Sequence, residues 1–67
     1  MEAFQQRVVD EKRELDEKIA RLEAFRKGDL YKDLPWEDWA LLTRQQVYMQ
    51  DYSNVLGARI AQFPQGG

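Results

Sequence analysis

Sixty-seven residues leave room for one domain, and a chain this short rarely holds a core without a disulfide, a metal or a partner copy. It has no cysteine and no histidine, which removes disulfides, thiolate metal sites and the commonest general base and metal ligand. Ten Lys and Arg against twelve Asp and Glu give a net charge of −2, the wrong balance for a face that grips DNA or RNA duplex. No apolar run approaches the roughly 18 residues of a membrane span, and the N-terminus has no signal-peptide pattern. The composition reads as a soluble, cytoplasmic, all-α protein that gains stability by assembling with itself.

In chain order, the first element is a helix over about residues 2–27. Phe4, Val8, Leu15, Ile19, Leu22 and Phe25 follow helical spacing with one gap. The gap falls on Asp10-Glu11-Lys12-Arg13-Glu14, where charge at a core position is costly unless paired. Either these side chains reach solvent, or Glu11 or Lys12 pairs across an oligomer interface and sets its register. Glu14–Lys18, Glu17–Arg21 and Glu23–Lys27 are spaced as favourable i,i+4 pairs. Arg26 and Lys27 suit the negative end of the helix dipole, with Gly28 as the stop.

A connection over about 28–34 turns the chain back. Pro35 reads as the first residue of the second helix, with Glu37 and Asp38 in its first turn. Leu34 is a poor cap, so Asp33 is the expected capping side chain. This helix runs to about residue 63, and residues 64–67 read as a flexible tail. The fold expected is an antiparallel two-helix hairpin, a single domain over 1–63 that oligomerises into a bundle or ring.

The second helix carries more apolar surface than one partner can cover. Leu42, Met49, Leu56 and Phe63 recur every seven residues, with Trp39 and Ile60 on the same side. Leu41, Tyr48 and Val55 form a second row, with Tyr52 between the two. Ser53, Gly57 and Ala61 make a row of small side chains that admits close approach, of the first helix or of a second protomer. The expected oligomer interface is therefore Leu41, Tyr48, Tyr52, Val55 and Gly57.

Little points to catalysis. One Ser and one Thr have no His to activate them, no Gly-rich phosphate loop is present, and the paired carboxylates read as solvated helix faces. Neither a metal nor a cofactor is expected. A ligand site is more plausible at the start of the second helix. There Trp39, Thr43, Gln46 and Gln50 share a flank and Arg44 projects beside them. An aromatic ring, a hydroxyl, amides and a guanidinium are the parts that stack a base and hold a phosphate. The two tryptophans also suit a hydrophobic lid on the open end of the hairpin.

The stretch from Phe4 through Gln5-Gln6-Arg7-Val8-Val9 to Phe25, with Leu41-Leu42-Thr43-Arg44-Gln45, Met49, Tyr52, Leu56, Arg59-Ile60 and Phe63, resembles a family of small phage proteins named after a crAss-like phage. The anti-CBASS sponge proteins look like members or close relatives. The resemblance implies oligomeric helical hairpins in the host cytoplasm that bind a cyclic oligonucleotide messenger between protomers and so silence an immune effector, without catalysis. In such sponges the cyclic dinucleotide pocket uses a short helix ahead of the hairpin, which this chain has no room for. A cyclic trinucleotide pocket is built largely from the start of the second helix. Thr43 matches that pattern, and Arg44 stands in for a basic residue where this chain has Trp39. The resemblance thus carries over Thr43, with Arg44 as the substitute cation, and implies a trinucleotide over a dinucleotide. Together with the flank read above, the expected ligand residues are Trp39, Thr43, Arg44 and Gln46. The residues alone leave open a second role, an oligomeric helical protein that binds or inhibits a host protein.

Overall fold

The computed structural model describes residues 2–64; residues 65–67 of the expected tail lie outside the described part. Helix α1 spans Ala3–Arg26, α2 is one turn at Asp29–Lys32, and α3 spans Trp36–Ala61. α1 packs along α3 and no strand occurs among the described residues. Cross-chain contacts run in opposite order along the two helices: Phe4 meets Phe63, Lys12 meets Ser53, and Arg26 meets Gln46 and Thr43. The hairpin is antiparallel and about 51 Å long by 15 Å thick.

The helix ends differ in detail from the sequence expectation. Gln5 Oε1 accepts a hydrogen bond from Glu2 N at 2.9 Å, so a glutamine closes the first turn of α1. Pro35 occupies the cap position of α3 rather than its first turn, and no side chain caps that end. Asp33 instead closes α2, where its N–H bonds back to Leu30 O. Proline serves here because its carbonyl takes the N–H groups of Asp38 and Trp39 while its own missing N–H costs nothing. α3 ends at Ala61, two residues early, and Phe63 folds back with its ring edge-on to Phe4 at 6.0 Å.

The core is thin. Val8, Leu15, Ile19 and Leu56 are buried, with Met49, Ile60 and Phe63 packed against them. These are the stripe residues of both helices, meeting as their spacing requires. The helix-one stripe is less complete at its ends: Phe4 and Phe25 stay exposed on one side.

The charged gap takes neither of its expected forms at Lys12. The Lys12 side chain turns inward, donating from Nζ to Ser53 Oγ at 2.9 Å and to Asp16 Oδ2 at 2.8 Å. Ser53 Oγ in turn donates to Asp16 Oδ1. The three groups close a polar ring across the α1–α3 seam, and Ser53 is almost wholly buried. Gly57, expected at a contact between copies, lies against Lys12 of its own chain: a Cβ there would stand 3.3 Å from Lys12 Cε. The absent side chain is what lets the lysine stem lie across α3. Ala61, the last of the small row, is exposed.

Glu14–Lys18, Glu17–Arg21 and Glu23–Lys27 are not closed. The ion pairs within 4 Å among the described residues are Lys12–Asp16, Arg13–Asp10 and Lys32–Asp29. Exposed pairs gain little over hydration, and Glu23 accepts from Gln46 Nε2 across the seam instead.

Two outcomes follow from this packing. Leu56→Ala is expected to cost about 2–5 kcal/mol, comparable with the whole stability of a chain this length, roughly 3–10 kcal/mol; circular dichroism should show the thermal transition largely lost. The hydrogen bonds from Lys12 and then from Ser53 hold the Asp16 carboxyl below its ordinary value of 3.8. A carboxyl depressed on folding stabilises the fold above its unfolded value and loses that contribution as pH falls through the folded one. Acid melts below about pH 3.8 should therefore fall more steeply for the native chain than for Asp16→Asn, and coincident curves would rule out this role for the ring.

Candidate functional site

The turn end of the hairpin gathers the polar groups that the core does not use. α1 delivers Glu23 and Arg26 from its last turn and Lys27 from its C-cap, α2 brings Tyr31, and α3 brings Trp39, Thr43 and Gln46. Glu23, Arg26, Lys27, Tyr31 and Gln46 line a cleft of about 360 Å³.

Arg26 is the centre of this cluster. Its Nη1 donates to Gln46 Oε1 and its Nη2 to Thr43 Oγ1 at 3.3 Å. The guanidinium also lies 5.6 Å from the Tyr31 ring centre, within cation–π range. Its Nε is buried and has no hydrogen-bond partner. A buried donor without an acceptor carries a free-energy penalty, which Arg26 bears at Nε while Nη1 and Nη2 hold it to α3. Arginine is the side chain whose planar fork best matches phosphate.

Tyr31 in turn stacks on Trp39, with ring centres 5.4 Å apart and planes within 15°. Trp39 Nε1 donates to Tyr31 O at 2.6 Å, and Phe25 meets Tyr31 edge-on at 6.1 Å. The aromatic series Phe25–Tyr31–Trp39 closes the open end of the helix pair. Trp39 therefore serves the lid and also borders the Arg26 cluster through Tyr31.

Among the residues expected to hold a ligand, the structure brings Trp39, Thr43 and Gln46 to one side. Arg44 is elsewhere: its guanidinium lies 5.9 Å from the Tyr48 ring on the outer face of α3. Gln50 donates to Asn54 and takes no part in the cleft. Sequence reasoning missed Arg26, Tyr31 and Glu23. Arg26 was read as a dipole partner at a helix end, and Tyr31 sat in a segment with no periodicity. Only an antiparallel alignment of α1 on α3, fixing Arg26 opposite Thr43 and Gln46, would have shown the cluster.

A larger groove of about 480 Å³ runs beside the Lys12–Asp16 pair, lined by Val9, Arg13, Glu17, Ala20 and Ile60 as well. Its cations are already neutralised, Lys12 by Asp16 and Arg13 by Asp10, so the smaller cleft is the better anion site. No group of metal-ligating side chains occurs among the described residues, and no helix there is long and apolar enough to cross a membrane.

A family model described as Sequestin matches residues 2–62, nearly the whole chain. The chain belongs to the Sequestin family. The match covers both long helices and the turn between them, so the Arg26 cleft lies inside it. The name Sequestin points to holding a ligand rather than converting it. Neither curated proteins nor solved structures give a match to this Sequestin chain.

The tie between Trp39 and the turn is testable. Trp39→Phe keeps the stack on Tyr31 but removes the hydrogen bond to Tyr31 O, at an expected cost of about 0.5–1 kcal/mol. Amide exchange should quicken at residues 29–34 and stay unchanged around Ser53.

Proposed function

We propose that this Sequestin is a phage-encoded sponge, active in the host cytoplasm, that binds and sequesters a cyclic nucleotide immune signal without chemistry. The observation that carries the reading is Arg26, whose guanidinium is set between Thr43, Gln46 and Tyr31 and lines the turn-end cleft. A phosphate oxygen supplies an acceptor to such a group, and exposed indole faces supply stacking surface for a base. The family match and the likeness to anti-CBASS sponges support the same reading.

The ligand site is completed between protomers. A cyclic trinucleotide, with three bases and three phosphates, exceeds a cleft of about 360 Å³ in one hairpin. Trp36 and Val47 stay largely exposed on the α3 flank that carries Thr43, where a second hairpin can cover the bound molecule. The trinucleotide is favoured over a dinucleotide because, in the sponges this chain resembles, the trinucleotide pocket is built largely from the start of the second helix, where Trp39 and Thr43 lie. In this scheme Trp39, Thr43 and Gln46 act with Arg26, while Arg44 is set apart with Tyr48.

One observation favours a second reading. Leu41, Tyr48, Tyr52 and Val55 are exposed on the outer face of α3, which also suits an oligomeric helical protein that binds or inhibits a host protein.

Native mass spectrometry, with and without a panel of cyclic di- and trinucleotides, separates the two. The sponge is expected to gain nucleotide mass in whole-number steps per oligomer, and Arg26→Glu should lower affinity at least tenfold while leaving helicity unchanged. An assembly that takes up no nucleotide overturns the sponge and sends the search to host proteins.

A further inference from the structure

The outer face of α3 has a pattern that selects one partner and one orientation. Leu41, Tyr48, Tyr52 and Val55 remain 59%, 60%, 45% and 56% exposed on the hairpin. Leu41, Tyr48 and Val55 are seven residues apart, and Gln45, Tyr52 and Arg59 follow the same period four residues on. That is the two-column seam of a helix that packs lengthwise on another helix. The core beneath buries four apolar side chains, Val8, Leu15, Ile19 and Leu56, with Met49, Ile60 and Phe63 packed against them, so a second layer would add apolar burial to a thin core.

The charges flanking this seam are not symmetric along the helix. Glu37 lies at one end, Arg59 at the other, and Arg44 and Asp51 lie between. Two copies aligned in parallel would set Arg59 against Arg59 in the seam and would leave Glu37, Arg44 and Asp51 of the two copies on opposite edges of it, with no opposite charge to meet. An antiparallel pair centred on Tyr48 does the opposite. Leu41 then faces Val55 of the second copy, Glu37 faces Arg59, and Arg44 comes level with Tyr52 beside Asp51. A two-fold axis makes each of these contacts twice, as isologous packing requires.

We propose that α3 pairs with α3 of a second copy, antiparallel, about a two-fold axis at Tyr48. The proposal rests on the reading above that copies of this chain assemble, and it adds the face, the direction and the register. Apolar contact at Leu41, Tyr48, Tyr52 and Val55 drives the pairing. The charges choose its direction, since the antiparallel pair brings Glu37 to Arg59 and Arg44 to Asp51, contacts that the parallel alternative lacks. Arg44 has its place in this arrangement: stacked over Tyr48, it comes close to Asp51 of the other copy. The Arg26 cleft lies away from this two-fold, because Thr43 and Gln46 are on the other side of α3 from Tyr48, so a hairpin that covers the bound ligand makes a second, separate contact on the Trp36 and Val47 flank.

The chain has no cysteine, so single-cysteine variants at exposed positions give an unambiguous map. Leu41→Cys, Tyr48→Cys and Val55→Cys are oxidised singly and as a Leu41→Cys plus Val55→Cys mixture, then run on non-reducing gels. Tyr48→Cys is expected to cross-link to itself, and the mixture to form a mixed dimer. Leu41→Cys alone is expected to stay monomeric on the gel. In the antiparallel pair its two copies stand about 21 Å apart, at 1.5 Å per residue, beyond the roughly 7 Å Cα separation a disulfide spans. Strong self-linking at Leu41→Cys means parallel pairing and overturns the proposal, as does a monomer by size exclusion.

Charge reversal supplies a second measurement. Glu37→Arg and Arg59→Glu should each weaken dimerisation, and the double variant should restore it. Three equal dissociation constants overturn the register. Nucleotide binding is read separately: uptake by a chain that does not cross-link overturns the two-fold and leaves the ligand reading standing. Cross-linking without uptake supports the two-fold and counts against the sponge.

Discussion

A lysine ammonium inside the α1–α3 seam fixes how the two helices meet. Lys12 lies across Gly57 and bonds to Ser53 and Asp16, which also bond to each other. A partly buried charge is tolerable only when its partners are all in place. If α1 slid one turn along α3, Ser53 would leave the ring and Lys12 would meet a side chain where it now meets a glycine. Four buried apolar residues could be satisfied in more than one register; the polar ring accepts one. The turn-end cluster depends on that choice, because Arg26 reaches Thr43 and Gln46 only in this alignment.

The two ends of the hairpin are furnished differently. At the terminal end Phe4 and Phe63 meet edge-on and Gln5 closes the first turn, contacts that cover the core. At the turn end Tyr31 stacks on Trp39, Arg26 is held by side chains from α3, and polar groups surround a cleft. Stacked rings and a pinned guanidinium are preorganised, so a ligand arriving there would spend little on ordering them. The apolar outer face of α3 is the third region. It is a continuous exposed apolar row beside a small core.

Fold class was legible because both helices keep their stripes: Val8, Leu15 and Ile19 on one, Met49, Leu56 and Ile60 on the other. The surplus row Leu41, Tyr48 and Val55 was legible for the same reason, since periodicity also exposes what one partner cannot cover. Lys12 was not. Its role depends on a glycine 45 positions away, and no local pattern carries that distance. Pro35 as a cap and the turn at Asp29–Lys32 were missed because four residues are too few to show a period. The candidate site was half visible. Trp39, Thr43 and Gln46 share a helix flank, but their cation comes from α1 by tertiary pairing, which made nearby Arg44 look like the natural choice.

A rod 51 Å long and 15 Å thick has almost no interior through which a local change can spread. Each turn of α1 meets only the turn of α3 opposite it, so stability adds up turn by turn, as in a repeat protein. The turn-end cleft needs the register that Lys12 sets but shares no side chain with the ring that sets it. Substitutions around Tyr31, Trp39 and Gln46 are free to reshape the turn-end cleft while Lys12, Asp16, Ser53 and Gly57 keep the hairpin aligned. Such a division lets a very small protein vary one end without refolding.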